Sequence, residues 1–225
     1  MNPHRFTLSG DRLSVLPSGA LWWEEAQLLC VSDLHLGKCL RPARAGGALL
    51  PPYETTETLS RLDADLEATR PGTVVCLGDS FDDDRAAGEI GEETALRFAR
   101  MQAGRRWVWI EGNHDGGRTA PGGTHLAELR EGPLVFRHIA VAGAVGEVSG
   151  HYHPKAAVTG RAGRVSRPCL LHDGIRAILP AYGTYTGGLR WTDPVFRSIL
   201  GPAARAILTG PVPLELPLPR AASAA

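Results

Sequence analysis

The chain has 225 residues, with 24 Lys and Arg against 24 Asp and Glu, so its formal net charge is zero. That balance excludes a protein that coats nucleic acid by charge alone, and no apolar run approaches the roughly 20 residues of a membrane span. The length suits one domain with a real core, expected over residues 1–225 with roughly the last ten, "LPLPRAASAA", frayed. Abundant glycine and proline (27 and 17) favour a loop-rich α/β or α+β fold over a helical bundle.

The first residues, "MNPHRFTLSGDRL", offer no apolar signal-peptide core. The four cysteines (Cys30, Cys39, Cys76, Cys169) show no CxxC spacing. Cys30 and Cys76 lie inside apolar runs, so buried thiols are expected there, in a reducing cytoplasm. Charge is unevenly spread: residues 51–100 carry 12 acids and 5 bases, residues 151–200 carry 2 acids and 7 bases. A basic surface around Lys155, Arg161, Arg164, Arg167 and Arg176 and a merely solvated hairpin face are equally good readings of the second stretch.

In chain order, "RFTLSG", "RLSVLP" and "GALWW" read as short strands joined by turns. Leu28–Ser32 (LLCVS) reads as a buried strand ending at Asp33. After two prolines a helix is expected over Tyr53–Thr69, with Thr55 or Thr56 as its N-cap. Thr73–Leu77 (TVVCL) is a second buried strand, ending at Gly78-Asp79. Ala86–Ala103 reads as a second helix, and Trp107–Ile110 (WVWI) as a third buried strand that ends at Gly112-Asn113-His114-Asp115. Strand, helix, strand, helix, strand implies parallel pairing. Beyond about residue 133 the short runs LVF, IAVAGAV, AAVTG, PCLLHD and IRAILP predict antiparallel strands with no long helix. Two sheets packed face to face, with helices outside, accommodate the whole pattern.

Each of the three buried runs delivers metal-capable residues at its carboxyl end, the edge where open α/β sheets bind ligands. Asp33-Leu34-His35 alone is a chance pattern, and Gly78-Asp79 alone is a turn. Asn113 and His114 side by side in a glycine-bounded turn are an unusual way to fill a core. Gly150-His151-Tyr152-His153 adds two imidazoles, which point the same way if the segment is extended. Chance must place all four motifs in one chain, three of them at the ends of buried runs.

In this order, D-x-H … G-D … G-N-H-D … H … G-H-x-H, the motifs resemble the calcineurin-like metallophosphoesterase family. The blocks "DLHLGK", "LLPPYETTETLSRL", "CLGDSFDD", "GHYHPKA", "RPCLLHDG" and "LPAYGTYTGGL" look like the DNA-ligase-associated phosphoesterases of bacterial repair clusters. The resemblance implies an α/β fold, a two-sheet sandwich flanked by helices in four layers (α/β/β/α). It implies two divalent ions, manganese first, with zinc or iron as alternatives. Asp33, His35, Asp79 and His153 would hold one ion; Asp79, Asn113, His138 and His151 would hold the other, with Asp79 bridging. For the histidine between the last two motifs there are two candidates, His125 and His138, and His138 is preferred because it ends the strand-like LVFRH. His114 would be the catalytic histidine, oriented by Asp115. Single-stranded DNA is the implied substrate, and a DNA ligase, a helicase and an exonuclease are the implied functional associates.

The residues support that chemistry. Nitrogen and oxygen ligands without thiolate suit Mn²⁺, Fe²⁺ or Zn²⁺. Two such ions polarise a phosphate and activate water, and they make the site an anion trap in a neutral protein. Lys38 and Arg44 are candidate phosphate contacts or surface cover. Tyr182 and Tyr185 could stack on a base or simply pack. Asp82, Asp83 and Asp84 read as a solvated acidic run, and His4 and His172 as structural or surface residues. The alternative substrate class is a small molecule, such as a nucleotide or a sugar-lipid pyrophosphate. A scaffold with a dead phosphoesterase fold predicts missing ligands, whereas every expected ligand type is present.

Overall fold

The computed structural model describes residues 2–39, 53–82, 91–113, 120–160 and 163–219. Strands β1 (His4–Leu8), β2 (Asp11–Val15), β3 (Leu21–Trp23) and β4 (Leu28–Val31) follow one another antiparallel. Their continuation, β5 (Thr73–Leu77), β6 (Arg106–Ile110) and β7 (Thr124–Leu126), is parallel, and the seven form one sheet in sequence order. The second sheet is built from β8 (Glu128–Glu131), β9 (Leu134–Arg137), β10 (Glu147–Ser149), β12 (Gly163–His172), β13 (Arg176–Ile178), β14 (Arg205–Leu208) and β15 (Leu214–Pro217). Strand β11 (Lys155–Gly160) forms a hairpin with β12.

The alternation of side chains along each central strand produces the layers. On β5, Val75 and Leu77 face the second sheet, meeting Phe136, Val148, Leu170 and Leu179. Val74 and Cys76 face the other way, onto helix α1 (Tyr53–Thr69) and helix α2 (Glu92–Gln102). Helix α1 presents Leu59, Leu62 and Leu66 at the i, i+3, i+7 spacing of one face, and α2 presents Phe98 and Met101. Beyond the second sheet, Cys169, Leu171 and Ile178 pack on Trp191 and on Phe196 of the short helix α3 (Pro194–Ile199). The order is therefore helix, sheet, sheet, helix, as the resemblance implied. Phe98 is fully buried against Phe81, Trp107 and Trp109, and truncation to alanine should cost about 3–5 kcal/mol.

Several expectations need correction. Thr55 and Thr56 lie inside α1, which starts at Tyr53; Thr55 Oγ1 instead accepts the Gly37 N–H at 3.1 Å, tying the helix to the loop after His35. Residues 139–145 form turns, not a strand, because Gly143 and Gly146 take positive φ (75° and 68°) and Ile139, Val141 and Val145 are exposed. The second sheet is mixed: β10 runs parallel to both β9 and β13. The described part of the second helix is Glu92–Gln102, and residues 86–90 of the expected span lie outside the described residues. All four cysteines are free and buried, Cys30 and Cys76 as expected.

Candidate metal centre

The candidate residues gather at the carboxyl ends of strands from both sheets. Asp33 and His35 follow β4, Asp79 follows β5, Asn113 follows β6, His138 follows β9, and His151 and His153 follow β10. Two groups of donor atoms result: Asp33, His35 and His153 in one, Asp79, His138 and His151 in the other, each with its donor atoms within 4.8 Å of one another. Asn113 joins the second group, its Oδ1 lying 2.9 Å from His138 Nε2. The groups adjoin, with His138 Nδ1 3.9 Å from Asp33 Oδ1.

The backbone is held in an uncommon state to achieve this. Asp33, His35, Asp79, His151 and His153 all have φ between 44° and 68°, the left-handed region that side chains rarely adopt. Such outliers persist only where surrounding structure fixes them, and they cluster at functional sites. Here the fixing bonds are visible. Asp33 N–H donates to the Gly78 carbonyl at 3.2 Å, and His35 N–H to the Asp79 carbonyl at 3.0 Å. Tyr152 N–H donates to the Gly150 carbonyl at 2.8 Å across His151, whose φ is 68°. That three-residue turn with positive φ is the rarer, strained form of the γ-turn. The histidine pair is thus not on an extended segment, and the two rings diverge to different groups. Tyr152 packs between Phe196 and the ring of His151, which it meets edge-on at 5.0 Å.

Two glycines are required by close approach. A Cβ on Gly78, which also has φ 78°, would sit 2.2 Å from His138 Nδ1. A Cβ on Gly150 would sit 1.9 Å from Ser32 Oγ and 2.6 Å from Asp33 Oδ2.

Neighbours then orient the donors. Asp33 Oδ2 accepts from Ser32 Oγ and, at 3.0 Å, from the His151 N–H. That leaves Oδ1 to face His153 Nε2 at 3.0 Å. His138 Nδ1 meets the Leu77 carbonyl at 3.1 Å, which fixes the proton there and frees the Nε2 lone pair. That lone pair meets Asn113 Oδ1 at 2.9 Å, His151 Nδ1 at 3.2 Å and Asp79 Oδ2 at 3.3 Å. An amide flip would let Asn113 donate, but an ionised Asp79 only accepts. Lone pairs so placed need positive charge between them, either a proton or a metal ion. Burial disfavours charge on His138, yet Asp79 and Asp33 outweigh it and raise its proton affinity. Burial, reinforced by His138, lowers that of His151.

The spacing fits a metal. Ligands about 2.1 Å from one ion, at octahedral to tetrahedral angles, lie roughly 3.0–3.4 Å apart. Five donor pairs within the two groups lie 2.9 to 3.4 Å apart, including His35 Nε2 to His153 Nε2 at 3.4 Å. Two candidate metal clusters of nitrogen and oxygen donors, without thiolate, fit a dinuclear phosphoesterase centre. Beside the second cluster a cleft of about 560 Å³, lined by Asn113, His138, Glu111 and Ile139 among others, opens to solvent.

Asp82, which its acidic neighbours make look solvated, is 1 % exposed, with Oδ1 3.6 Å from His35 Nδ1. The chain after β5 folds back on the Asp33 loop through the Leu36–Phe81 bridge and the Asp82 N–H to the Leu36 carbonyl, and this buries it. No local sequence signal marked it. His125 lies on β7, stacked on Trp109. Tyr182 is fully buried, its hydroxyl donating to Asp65 at 2.8 Å, so it packs and does not face a substrate. His4 and His172 share Glu215 at 3.1 and 3.2 Å, linking the edges of the two sheets. Lys38 is half-buried. His114, Asp115 and Arg44 lie outside the described residues, as do Asp83 and Asp84.

The sandwich with two such clusters at its strand ends defines a metallophosphoesterase. The calcineurin-like phosphoesterase family model matches residues 26–186, well over half of the chain, and the chain belongs to that family. Among solved structures it is similar to the nuclease MPE of Pseudomonas putida, with a TM-score of 0.76 and 28 % identity, covering 95 % of this chain and 100 % of that one. No curated protein matches it significantly.

Proposed function

We propose that the chain is a manganese-dependent endonuclease that cuts single-stranded DNA in repair. The observation that supports this reading most is the pair of adjoining donor clusters, held by left-handed backbone at strand ends. Two divalent ions bring four positive charges, and Asp33 and Asp79 return two, so the centre attracts a phosphodiester. Nucleic acid as the substrate rests on similarity to a solved nuclease over nearly the whole chain. Manganese and single-stranded DNA rest on the resemblance to the DNA-ligase-associated phosphoesterases.

In this reading Asp33, His35, Asp79 and His153 would hold one ion, and Asp79, Asn113, His138 and His151 the other. When bound, the ions supply Lewis acidity to the phosphate and acidify water for attack on phosphorus. His114 protonates the leaving oxygen, held in place by Asp115. The Leu77 carbonyl fixes the tautomer of His138, and the Asp82 carboxylate, 3.6 Å from His35 Nδ1, favours the proton on that nitrogen. Lys38 and Arg44 contact flanking phosphates.

The test is to incubate metal-stripped protein with circular single-stranded DNA and Mn²⁺, Mg²⁺ or Zn²⁺. Nicking is expected, greatest with Mn²⁺. No cleavage with any metal, alongside turnover of a nucleoside diphosphate derivative, would replace DNA with a small-molecule substrate.

A further inference from the structure

Nine non-glycine residues have positive φ among the described residues. Five belong to the candidate metal clusters. Ser9 and Gln27 turn the chain between antiparallel neighbours, and Arg70 ends α1, its N–H bonding the Leu66 carbonyl. The ninth is Tyr185, with φ 61°. A bulky aromatic residue in the left-handed region is a genuine outlier; Tyr185 adopts it in a turn at residues 184–185, within the long loop between β13 and α3.

The loop carrying Tyr185 is fastened to the metal centre at both ends. Tyr182 N–H donates to the Ser32 carbonyl at 2.7 Å, and Gly183 N–H to the Asp33 carbonyl at 3.1 Å. At the other end Leu189 N–H donates to the Tyr152 carbonyl at 3.3 Å, and a Cβ on Gly188 would lie 2.1 Å from the His153 carbonyl oxygen. In between, Thr184 N–H bonds Thr58 Oγ1 of α1 at 3.0 Å, and Lys155 Nζ bonds the Thr186 carbonyl at 2.8 Å. The loop is a rigid strap from Asp33 to His153 along the first cluster. Tyr185 is its outward-facing aromatic, 60 % exposed, with no ring contact or hydroxyl hydrogen bond among the described residues. Its Cα lies within about 8 Å of that of Gly183 by chain length alone.

We infer that Tyr185 is a stacking platform for a nucleobase next to the phosphate being cut. An exposed ring on a pre-fastened loop loses little freedom on binding. Every base has a face to stack on, so the contact gives affinity without sequence preference. Lys155 and the exposed Arg190, paired with it as a β-bridge, place cations beside the same loop for the backbone of the strand. Tyr182, three residues earlier, is buried and holds the strap to α1. The inference rests on the nuclease reading above.

The experiment compares Tyr185→Gly and Tyr185→Phe with the natural chain on two substrates of equal length, a single-stranded oligonucleotide and one with abasic sites around the cut. Tyr185→Gly should raise KM on the normal oligonucleotide about 10-fold, within what one base–aromatic stack supplies, but less than about 2-fold on the abasic one. Tyr185→Phe should stay within about 2-fold of the natural chain on both. Glycine also relieves the positive φ, so Tyr185→Gly should raise Tm while it weakens binding. A KM unchanged on the normal oligonucleotide, or raised equally on both substrates, overturns the stacking role. If the natural chain cuts neither substrate with any divalent ion, the nuclease reading fails and the stacking role fails with it.

Discussion

Asp82→Asn isolates how the first cluster keeps its histidine ready. The carboxylate is 1 % exposed and its Oδ1 lies 3.6 Å from His35 Nδ1. It favours the proton on Nδ1, which leaves Nε2 as a lone pair towards His153 and Asp33. An asparagine amide can donate to Nδ1 instead and drive the proton to Nε2, where it blocks coordination. Losing such an orienting carboxylate typically costs 10- to 100-fold in metal affinity, or about 1.4–2.8 kcal/mol. At a given excess of ion the same amount is lost from the stabilisation that binding confers. For a chain of this size that lowers the Tm of the metal-loaded protein by about 3–11 °C. Any cost to the packing around Asp82 appears in the metal-free melt as well, so the difference between the two melts isolates the ion. Thermal melts with and without saturating Mn²⁺, together with metal content after dialysis, read both quantities. An equal drop in both melts would make Asp82 a structural residue, and unchanged affinity for the ion would refute its orienting role.

Gly150→Ala forces a methyl group against Ser32 Oγ and Asp33 Oδ2; it should cost about 1–3 kcal/mol in urea unfolding and lower the metal content, and a variant with normal content would contradict the close packing. His138→Ala should lose one ion per chain while His125→Ala keeps both, as measured by elemental analysis. Burial holds His172 below the ordinary imidazole value against the pull of Glu215. Burial also pushes Glu215 up, but Arg205, His4 and His172 outweigh it and hold its carboxyl low. The unfolded chain therefore takes up the His172 proton first, and stability should fall as pH drops below about 6.5. The contribution of Glu215 persists down to about pH 4.5 and is lost as pH falls through its lower folded value. Urea melts at pH 7.5, 6.5 and 5.5 should show a shallower decline in His172→Gln than in the natural chain, and identical slopes would remove His172 from the explanation.

The parallel strands were legible because β4, β5 and β6 are continuous apolar runs, buried on both faces. The same runs announced Asp33, Asp79 and Asn113, since each stops at a polar residue in a turn. Direction in the second sheet was not legible. That β10 lies parallel between β9 and β13 is decided by tertiary pairing, and short runs separated by glycine carry no trace of it. Composition misled at residues 139–145, apolar in sequence yet held outside the sheet by left-handed glycines. It misled again at Asp82, where three consecutive acids look solvated and only the chain's return to Leu36 buries the first. Tyr182 and Tyr185 read alike on paper; one spans the gap to Asp65 and the other faces solvent.

Two histidines at i and i+2 converge on one point only if the backbone between them is extended. Here His151 and His153 have φ of 68° and 46°, and the tight turn over His151 separates their rings. Nδ1 of His151 meets His138 at 3.2 Å, while Nε2 of His153 meets Asp33 at 3.0 Å. The turn also aims the His151 N–H at Asp33 Oδ2, so one short segment supplies a donor to each cluster and a hydrogen bond to the carboxylate of the first. That arrangement needs Gly150, because any side chain there would occupy the space of Ser32 and Asp33. The spacing of the histidines therefore does not make a dinuclear site by itself; the glycine before them, by allowing the approach that strains the turn, divides the pair between the two clusters.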